Sequence, residues 1–332
     1  MRLFVGTYSD TIATLHFDPA TGRLERGRAI AGIGNASWLE RHPSLPMLYA
    51  ANELRDGAVT AYAIVPDGLV ARATHPTLGA DPCHLGIAGG LLVAANYSSG
   101  HVTAFPLDAQ GVPGPACQVI AHTGASLHPT RQSAAHPHHV GGHAGRLLVS
   151  DLGLDAVMVY RVAEGALVAD GPAISTPQGG GPRRFIGHPT LPVAYVLNEL
   201  HASITRYRTG APGGWRACDT VTMLPAGWIG GRSGAELAVA ASGRFLYASN
   251  RGHDSIAIFA LDDEGALHPR GHAESGGASP RHIEISPCGT FLAVANQRSD
   301  RVTMFRLDPS TGHPEAIAHA AVERPVCVRF IA

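Results

Sequence analysis

Short apolar stretches that end in a small polar residue recur along the whole chain. Their end positions are 44 to 55 residues apart and fall at Thr7, Asn52, Asn96, Asp151, Asn198, Asn250 and Asn296. A repeat of this length, divided into four strand-sized pieces, is typical of a β-propeller. The pattern therefore predicts an all-β protein built from repeated four-stranded blades.

The first complete repeat shows these four pieces. Residues 35–41, 47–51, 58–65 and 69–74 are strand-like, and turn-forming residues such as Pro43, Gly57 and Gly68 separate them. The second piece is apolar throughout, which is expected of a strand packed between two neighbouring sheets. We expect the other repeats to follow the same order of strands.

Incomplete repeats lie at both ends of the chain. Residues 2–7, 12–18 and about 24–30 would supply a second, third and fourth strand, and residues 325–331 would supply a first strand. With six complete repeats they predict a seven-bladed β-propeller, a single domain of residues 1–332, closed by pairing of the C-terminal strand with the N-terminal strands. Closure removes free sheet edges. Two separate β-sandwiches would not explain why the end fragments are complementary.

The composition of the chain narrows the range of possible partners and cellular locations. Charged residues make up 15% of the chain and the net charge is -1, so no electrostatic argument favours binding to nucleic acid or to an anionic membrane. No apolar run approaches the roughly 20 residues that span a bilayer. The five cysteines form no CxxC pair, which is consistent with free thiols in a reducing cytosol. The N-terminus does not resemble a signal peptide, so we expect a cytoplasmic protein.

Polar residues are expected to converge at one face of the propeller. There, the start of each blade's first strand lies beside the end of its second strand. Starts of first strands carry His136, His138, Arg183, Arg184, Arg281 and His282, and second strands are followed by or end in Asn52-Glu53, Asn96-Tyr97, Asn198-Glu199 and Asn250-Arg251. A concave ring of polar groups is the first place to look for a binding site.

Some of these residues have a structural interpretation as well. The repeated asparagines are expected to tie the turn after the second strand in most blades, and they are also candidates for substrate binding. The run His136, Pro137, His138 and His139 raises the question of a metal, but no second cluster has ligand-like spacing. We therefore expect no cofactor, with a divalent cation left open. Which histidine of residues 136–139 faces the channel is also open.

Several motifs resemble those of the lactonase family of seven-bladed propellers. The resemblance covers the whole chain and is carried by Gly179-Gly180-Gly181-Pro182-Arg183-Arg184-Phe185, by Asn198-Glu199-Leu200, by Ser249-Asn250-Arg251-Gly252 and by Ser279-Pro280-Arg281-His282. The family includes bacterial propeller-type 6-phosphogluconolactonases and fungal carboxymuconate cycloisomerases. It implies a small anionic lactone as the partner. From the composition we expect no nucleic acid and no membrane as partners.

The resemblance also implies which residues act. The family's functional positions fall on His138, Arg183, Glu199 and Arg251, and the strand-end argument selects the same residues. Where the family usually has histidine, this chain has Arg184. The hairpin after His138 is also shortened. The additional arginine would suit a more anionic substrate, or it would be a solvated neighbour.

Opening a sugar lactone is ester hydrolysis, which needs an activated water and stabilisation of the oxyanion. We expect Glu199 or His138 to be the general base, and Arg183 and Arg251 to hold the anionic group and the oxyanion. No Gly-x-Ser-x-Gly motif points to a serine nucleophile. Hydrolysis of 6-phosphogluconolactone is the leading hypothesis. The alternatives are a muconate-type cycloisomerase, a lactonase for an unphosphorylated or other lactone, a metal-dependent lactonase, and a non-catalytic binding propeller.

Overall fold

The chain folds into seven antiparallel sheets in a computed structural model that describes residues 1–211 and 214–331. Its first strands are β1 (Arg2–Thr7), β2 (Thr11–Asp18), β3 (Arg23–Arg26) and β4 (Ile30–Ala31). Blade 1 contains β5 (Ala36–Arg41), β6 (Met47–Asn52), β7 (Ala58–Val65) and β8 (Gly68–Pro76). Blade 2 contains β9 (Pro82–Ala88), β10 (Leu91–Asn96), β11 (His101–Pro106) and β12 (Gln118–Ala121). Blade 3 contains β13 (Pro137–His143), β14 (Arg146–Asp151), β15 (Ala156–Ala163), β16 (Ala166–Ala169) and β17 (Ile174–Ser175).

The remaining blades repeat this order of strands. Blade 4 contains β18 (Pro182–Gly187), β19 (Val193–Asn198), β20 (Ser203–Ala211) and β21 (Gly214–Thr222). Blade 5 contains β22 (Ser233–Val239), β23 (Phe245–Arg251), β24 (Ser255–Leu261) and β25 (Leu267–Glu274). Blade 6 contains β26 (Pro280–Ile285), β27 (Phe291–Asn296), β28 (Arg301–Leu307) and β29 (Pro314–Ala321). The last strand is β30 (Pro325–Ile331), and a 3₁₀ helix covers Gln297–Ser299.

The predicted closure is confirmed. Blade 7 has the strand order β3-β2-β1-β30, so the C-terminal strand pairs with the N-terminal strand. Seven blades, each with four principal antiparallel strands, make the protein a seven-bladed β-propeller.

The outer strands of blades 7 and 3 are each interrupted. We expected one fourth strand over about residues 24–30, but β3 pairs with the end of β2 that includes Asp18, and β4 pairs with Thr11 and Ile12. The residues between them form no strand. In the same way β16 and β17 pair with opposite ends of β15. Turn-favouring residues, Gly27 in blade 7 and Gly171 and Pro172 in blade 3, account for the breaks.

The chain divides into two compact units. The N-terminal unit comprises Gly6–Thr14 and Arg28–Pro182, and the C-terminal unit comprises Met1–Val5, Leu15–Gly27 and the described residues from Arg183 onward. The expectation of a single domain stays a prediction. In the N-terminal unit a buried apolar cluster lies between blades 2 and 3, and in the C-terminal unit two such clusters lie between blades 4 and 5 and between blades 5 and 6.

The second strands of blades 1, 2, 4 and 6 are buried along their whole length, and those of blades 3, 5 and 7 are buried except at one end residue, because each has a neighbouring sheet on both faces. Three of them carry a buried tyrosine whose hydroxyl donates to a glycine carbonyl of the following blade. The bonds run from Tyr49 to Gly111, from Tyr195 to Gly265 and from Tyr247 to Gly312, at 2.6 to 2.8 Å. Each bond links two blades of one unit at a point where an unpaired hydroxyl would be costly.

In the residues described, no helix is long and apolar enough to cross a membrane. All five cysteines are free thiols, of which Cys83 and Cys327 are buried.

Candidate active site

A buried carboxylate with two guanidinium partners lies in the C-terminal unit. Glu199 follows directly after β19 and is 1% exposed. Its Oε2 accepts a hydrogen bond from Nη1 of Arg183 at 2.8 Å and lies 3.0 Å from Nη2 of Arg251. Two positive charges at this distance compensate for the removal of the carboxylate from water.

Both arginines are held in place by a β-bulge in β22. The pairing with β23 shifts between Gly234 and Leu237, so that two residues of β22, Ala235 and Glu236, lie opposite a single residue of β23. The bulge presents successive carbonyl groups to the site. The Gly234 carbonyl accepts from Arg251 Nη2 at 3.0 Å, and the Ala235 carbonyl accepts from Arg183 Nε at 2.7 Å. The backbone of blade 5 therefore positions arginines that come from blades 4 and 5.

Glu236, inside the same bulge, is a second buried carboxylate. Its Oε1 lies 2.6 Å from Nε of Arg184 and accepts the N–H of Leu237 at 3.0 Å. Its own N–H donates to the hydroxyl of Ser249, because the bulge has no regular partner for it. Arg184 is therefore an ion-pair partner inside the site and not a solvated neighbour.

His282 lies next to this second pair. Its Nε2 is 3.8 Å from Oε2 of Glu236, and its Nδ1 accepts the N–H of Val328 at 3.3 Å. Burial, together with the positive charges of Arg329, Arg184 and Arg183, lowers the pKa of His282 well below its ordinary value. His282 is therefore neutral at pH 7, with its proton on Nε2, facing Glu236.

A third ion pair completes the group of charges. Arg329 on β30 donates through Nη1 to Oε1 of Glu284 on β26 at 3.1 Å, and Oε2 of Glu284 accepts the N–H of Phe330. β26 packs against β22 and against β30, which places these first strands side by side. The group of charges contains four arginines and three glutamates, which leaves one positive charge in excess. Its members are Arg183, Arg184, Arg251, Arg329, Glu199, Glu236 and Glu284.

Arg281 occupies a bulge at the start of β26. The pairing of β26 with β27 shifts between Pro280 and His282, so Arg281 has no opposite residue. It lines a surface pocket together with Arg251.

The repeated asparagines bind their own blade or the chain next to it. Asn198 donates to the hydroxyls of Ser203 and Thr205, and Asn96 donates to Thr103. Asn52 donates to the Gly34 carbonyl, and Asn250 donates to the Met223 carbonyl. All four are at most 6% exposed. These contacts favour the structural interpretation, and substrate binding by these residues stays a prediction.

His138 belongs to the N-terminal unit. It is the bulged residue of β13, is 8% exposed, and its ring centre lies 5.5 Å from that of Tyr97. His136 stacks on the same tyrosine at 4.5 Å, whereas the ring of His139 meets His84 at 4.2 Å. Because His138 and Glu199 lie in different units, their joint action in one site stays a prediction.

No group of three or more His, Cys, Asp or Glu side chains suited to hold a metal ion is found within residues 1–211 and 214–331. The histidines at 136, 138 and 139 each contact an aromatic or imidazole ring.

Sequence reasoning missed Glu236. It lies at the start of the first strand of blade 5, the position that identified Arg183 and Arg281 in their own blades. The available signal was an acidic residue in an otherwise small and apolar start, Ser233-Gly234-Ala235-Glu236. The bulge that turns it toward Arg184 has no sequence pattern of comparable strength.

Known proteins share this architecture along the whole chain. The family described as "Lactonase, 7-bladed beta-propeller" matches residues 2–330. The 6-phosphogluconolactonase of Bacillus subtilis strain 168 is 30% identical over 271 residues, 78% of this chain and 77% of the relative. The 6-phosphogluconolactonase of Klebsiella pneumoniae strain 342 is 28% identical over 256 residues, 75% of this chain and 73% of the relative.

A solved structure gives the same result. The periplasmic gluconolactonase of Pseudomonas aeruginosa superposes with a TM-score of 0.94 at 32% sequence identity, covering 100% of this chain and 99% of that one. The chain therefore belongs to the lactonase family of seven-bladed β-propellers.

Proposed function

We propose that this protein is a hydrolase that opens a sugar lactone, with 6-phosphogluconolactone as substrate and 6-phosphogluconate as product. The observation that carries the proposal is the convergence of Arg183 and Arg251 on buried Glu199. Two relatives that match most of the chain are named for this activity. The excess of arginine in the group of charges suits an anionic substrate.

The reaction needs few groups. A water oxygen attacks the lactone carbonyl carbon, and the carbonyl oxygen becomes an oxyanion that Arg183 and Arg251 stabilise as hydrogen-bond donors. Glu199 takes the proton from the attacking water. The ring C–O bond then breaks, the carbonyl re-forms, and the proton held by Glu199 passes to the departing alkoxide. The new carboxylic acid releases the second proton of the water to solvent. The product carries a carboxylate and a free hydroxyl.

The identity of the base is tested by pH dependence. An ordinary carboxyl group titrates near pH 4.3 and an ordinary imidazole near pH 6.5. If Glu199 is the base, kcat/KM falls only where carboxyl groups titrate. If His138 is the base, kcat/KM falls already where imidazoles titrate, and His138→Gln lowers kcat/KM itself.

A neutral lactone is the second candidate substrate. The Pseudomonas aeruginosa relative is named as a gluconolactonase, without a phosphate in the name. The chemistry at the carbonyl is the same for both lactones. The two candidate substrates differ only in whether they carry a phosphate group.

The decisive experiment is lactone opening above the spontaneous rate by the purified, chelator-treated protein, on 6-phosphogluconolactone and on gluconolactone. We expect activity on the phosphorylated lactone and a loss of about 100-fold or more in Glu199→Gln and Arg251→Gln. Arg306→Gln, at an exposed position on β28, is the matched control. Activity on neither lactone would overturn the proposal and direct the search to muconate-type diacids.

The expected cytoplasmic location also stays a prediction, because a periplasmic protein is among the similar structures. Fractionation of cells that produce the native protein would decide it.

A further inference from the structure

A pocket rich in arginine opens beside the buried carboxylate, within the C-terminal unit. Its volume is about 580 Å³, and four arginines, Arg232, Arg251, Arg281 and Arg298, line it. One acidic residue, Asp254, lies in the same lining. Arg232 and Arg298 are exposed, whereas Arg251 and Arg281 are partly buried.

The four arginines come from the ends of different elements. Arg232 precedes β22, Arg251 ends β23, Arg281 is the bulged residue of β26, and Arg298 lies in the 3₁₀ helix after β27. Strand ends of blades 5 and 6 thus bring together positive charges that are far apart in sequence. Such convergence on a concave surface is typical of an anion-binding site.

Asp254 stabilises the walls of the pocket. Its Oδ1 accepts the N–H groups of Gly252 at 3.2 Å and Ser279 at 2.8 Å, so this carboxylate connects the turn after β23 to the segment before β26. The lining contains four arginines and one acidic residue, and Arg251 is also paired with Glu199, which leaves an excess of positive charge. A dianionic phosphate ester matches this excess better than a single carboxylate does.

The turn itself requires glycine. Gly252 has φ +93°, and a Cβ at this position would lie 3.0 Å from the carbonyl oxygen of Gly231 on the opposite wall. Any other residue would be strained and would push the two walls apart. The pocket shape therefore depends on a close backbone approach.

Arg251 connects the pocket to the proposed reaction centre. Its Nη2 lies 3.0 Å from Oε2 of Glu199, and the same residue lines the pocket. In 6-phosphogluconolactone the phosphate is carried by the methylene group on the ring carbon that also bears the leaving oxygen. An anion seated in the pocket would thus place the bond that breaks next to Arg251 and Glu199.

We propose that this pocket is the subsite for the phosphate ester of the substrate, and that Arg232 and Arg298 determine the preference for a phosphorylated over a neutral lactone. The inference rests on the proposed lactonase function and extends it to substrate choice. Inorganic phosphate shares the recognised chemistry, so it serves as a probe that is independent of turnover.

The test compares the wild-type protein with Arg232→Gln, Arg298→Gln and the double variant. The first measurement is the ratio of kcat/KM for 6-phosphogluconolactone to kcat/KM for gluconolactone. We expect this ratio to fall by roughly tenfold or more in the double variant, because two charged donors to the phosphate are lost. Arg306→Gln, matched in charge and exposure, should leave the ratio unchanged.

The second measurement is binding of inorganic phosphate and of 6-phosphogluconate by calorimetry at low ionic strength. Phosphate binding that weakens in the double variant would support the pocket. If the same wild-type protein opened no lactone, the pocket would stand and the proposed function would be overturned. Lactonase activity with an unchanged ratio would overturn the pocket and leave the function standing. Phosphate binding that the double variant retains at wild-type affinity would likewise overturn the pocket.

Discussion

Individual charged side chains in the site are buried in compensating groups. Glu199 has two guanidinium partners, and Glu236 has Arg184 with the neutral imidazole of His282 nearby. Removing one partner would leave a buried charge uncompensated, which is the costly part of breaking a buried ion pair. The carboxylates that position these arginines therefore also contribute to the stability of the fold, so that substitutions in the candidate site are expected to affect stability as well.

His282 should make the folded protein sensitive to acid. Its pKa is lowered in the folded state by burial and by Arg329, Arg184 and Arg183, whereas an unfolded histidine titrates near pH 6.5. Below about pH 6.5 the unfolded chain therefore binds a proton that the folded chain does not, so stability falls as the pH falls. One such proton contributes a slope of at most about 1.4 kcal/mol per pH unit.

The measurement is the free energy of unfolding in denaturant between pH 5 and pH 7. We expect His282→Gln to reduce the pH slope of the wild-type protein, whereas His313→Gln, at an exposed position, should leave the slope unchanged. An equal slope in wild type and His282→Gln would contradict this account of the buried imidazole.

At the scale of elements, bulges at the starts of first strands place several side chains of the candidate site. In β13 and β26 the register shifts at His138 and Arg281, and in β22 it shifts over Ala235 and Glu236. A regular strand would send alternate side chains to opposite faces. A bulge changes that alternation locally and exposes carbonyl groups, which in β22 bind Arg183 and Arg251.

Gly234→Ala tests whether the bulge in β22 positions the arginines. A Cβ at this position would lie 2.9 Å from Cδ2 of Leu197, which is fully buried and has little room to move. We expect a destabilisation of about 1–3 kcal/mol from overpacking. Because the Gly234 carbonyl holds Arg251, kcat/KM for lactone opening should fall as well.

Gly142→Ala is the matched control, since its added Cβ would meet no atom closer than 3.9 Å. Activity and stability are measured on the same preparations. A Gly234→Ala protein that loses stability but keeps full kcat/KM would show that the bulge does not position the arginines.

At the scale of the whole molecule, the chain ends meet in blade 7. β30 supplies the first strand of the sheet that begins with β1, so the last seven strand residues complete a blade made by the first part of the chain. Without that strand, β1 would present an unpaired edge, which promotes association with other chains. The site also depends on β30, because Arg329 pairs with Glu284 there.

Deletion of Pro325–Ile331 should therefore abolish the stable fold. Size-exclusion chromatography with circular dichroism is expected to show aggregation or loss of cooperative unfolding, whereas the isolated change Arg329→Gln, which keeps the strand, should preserve the β spectrum. A truncated protein that unfolds with wild-type cooperativity would refute the role of strand closure.

The amino-acid sequence by itself determined the blades. Residues 2–7, 58–65 and 325–331 are strands with the predicted bounds. Each of these strands is an apolar or alternating stretch between turn-forming residues, a pattern that can be read from neighbouring positions in the sequence. The sequence also placed Arg183 and Glu199 at strand ends in one blade. The fourth strand of blade 7 was predicted wrongly as continuous, since a broken outer strand has no strong local pattern.

Only the tertiary structure decided how the site is put together. Glu236, the Gly234 and Ala235 carbonyls, and the pocket that adds Arg232 and Arg298 are brought together by a register shift and by packing between blades. These depend on which residues oppose one another across a sheet, and a one-residue shift in register leaves the periodic pattern of the sequence unchanged. Repetition along the chain is therefore enough to specify a propeller, while the departures from regular pairing specify its candidate active site.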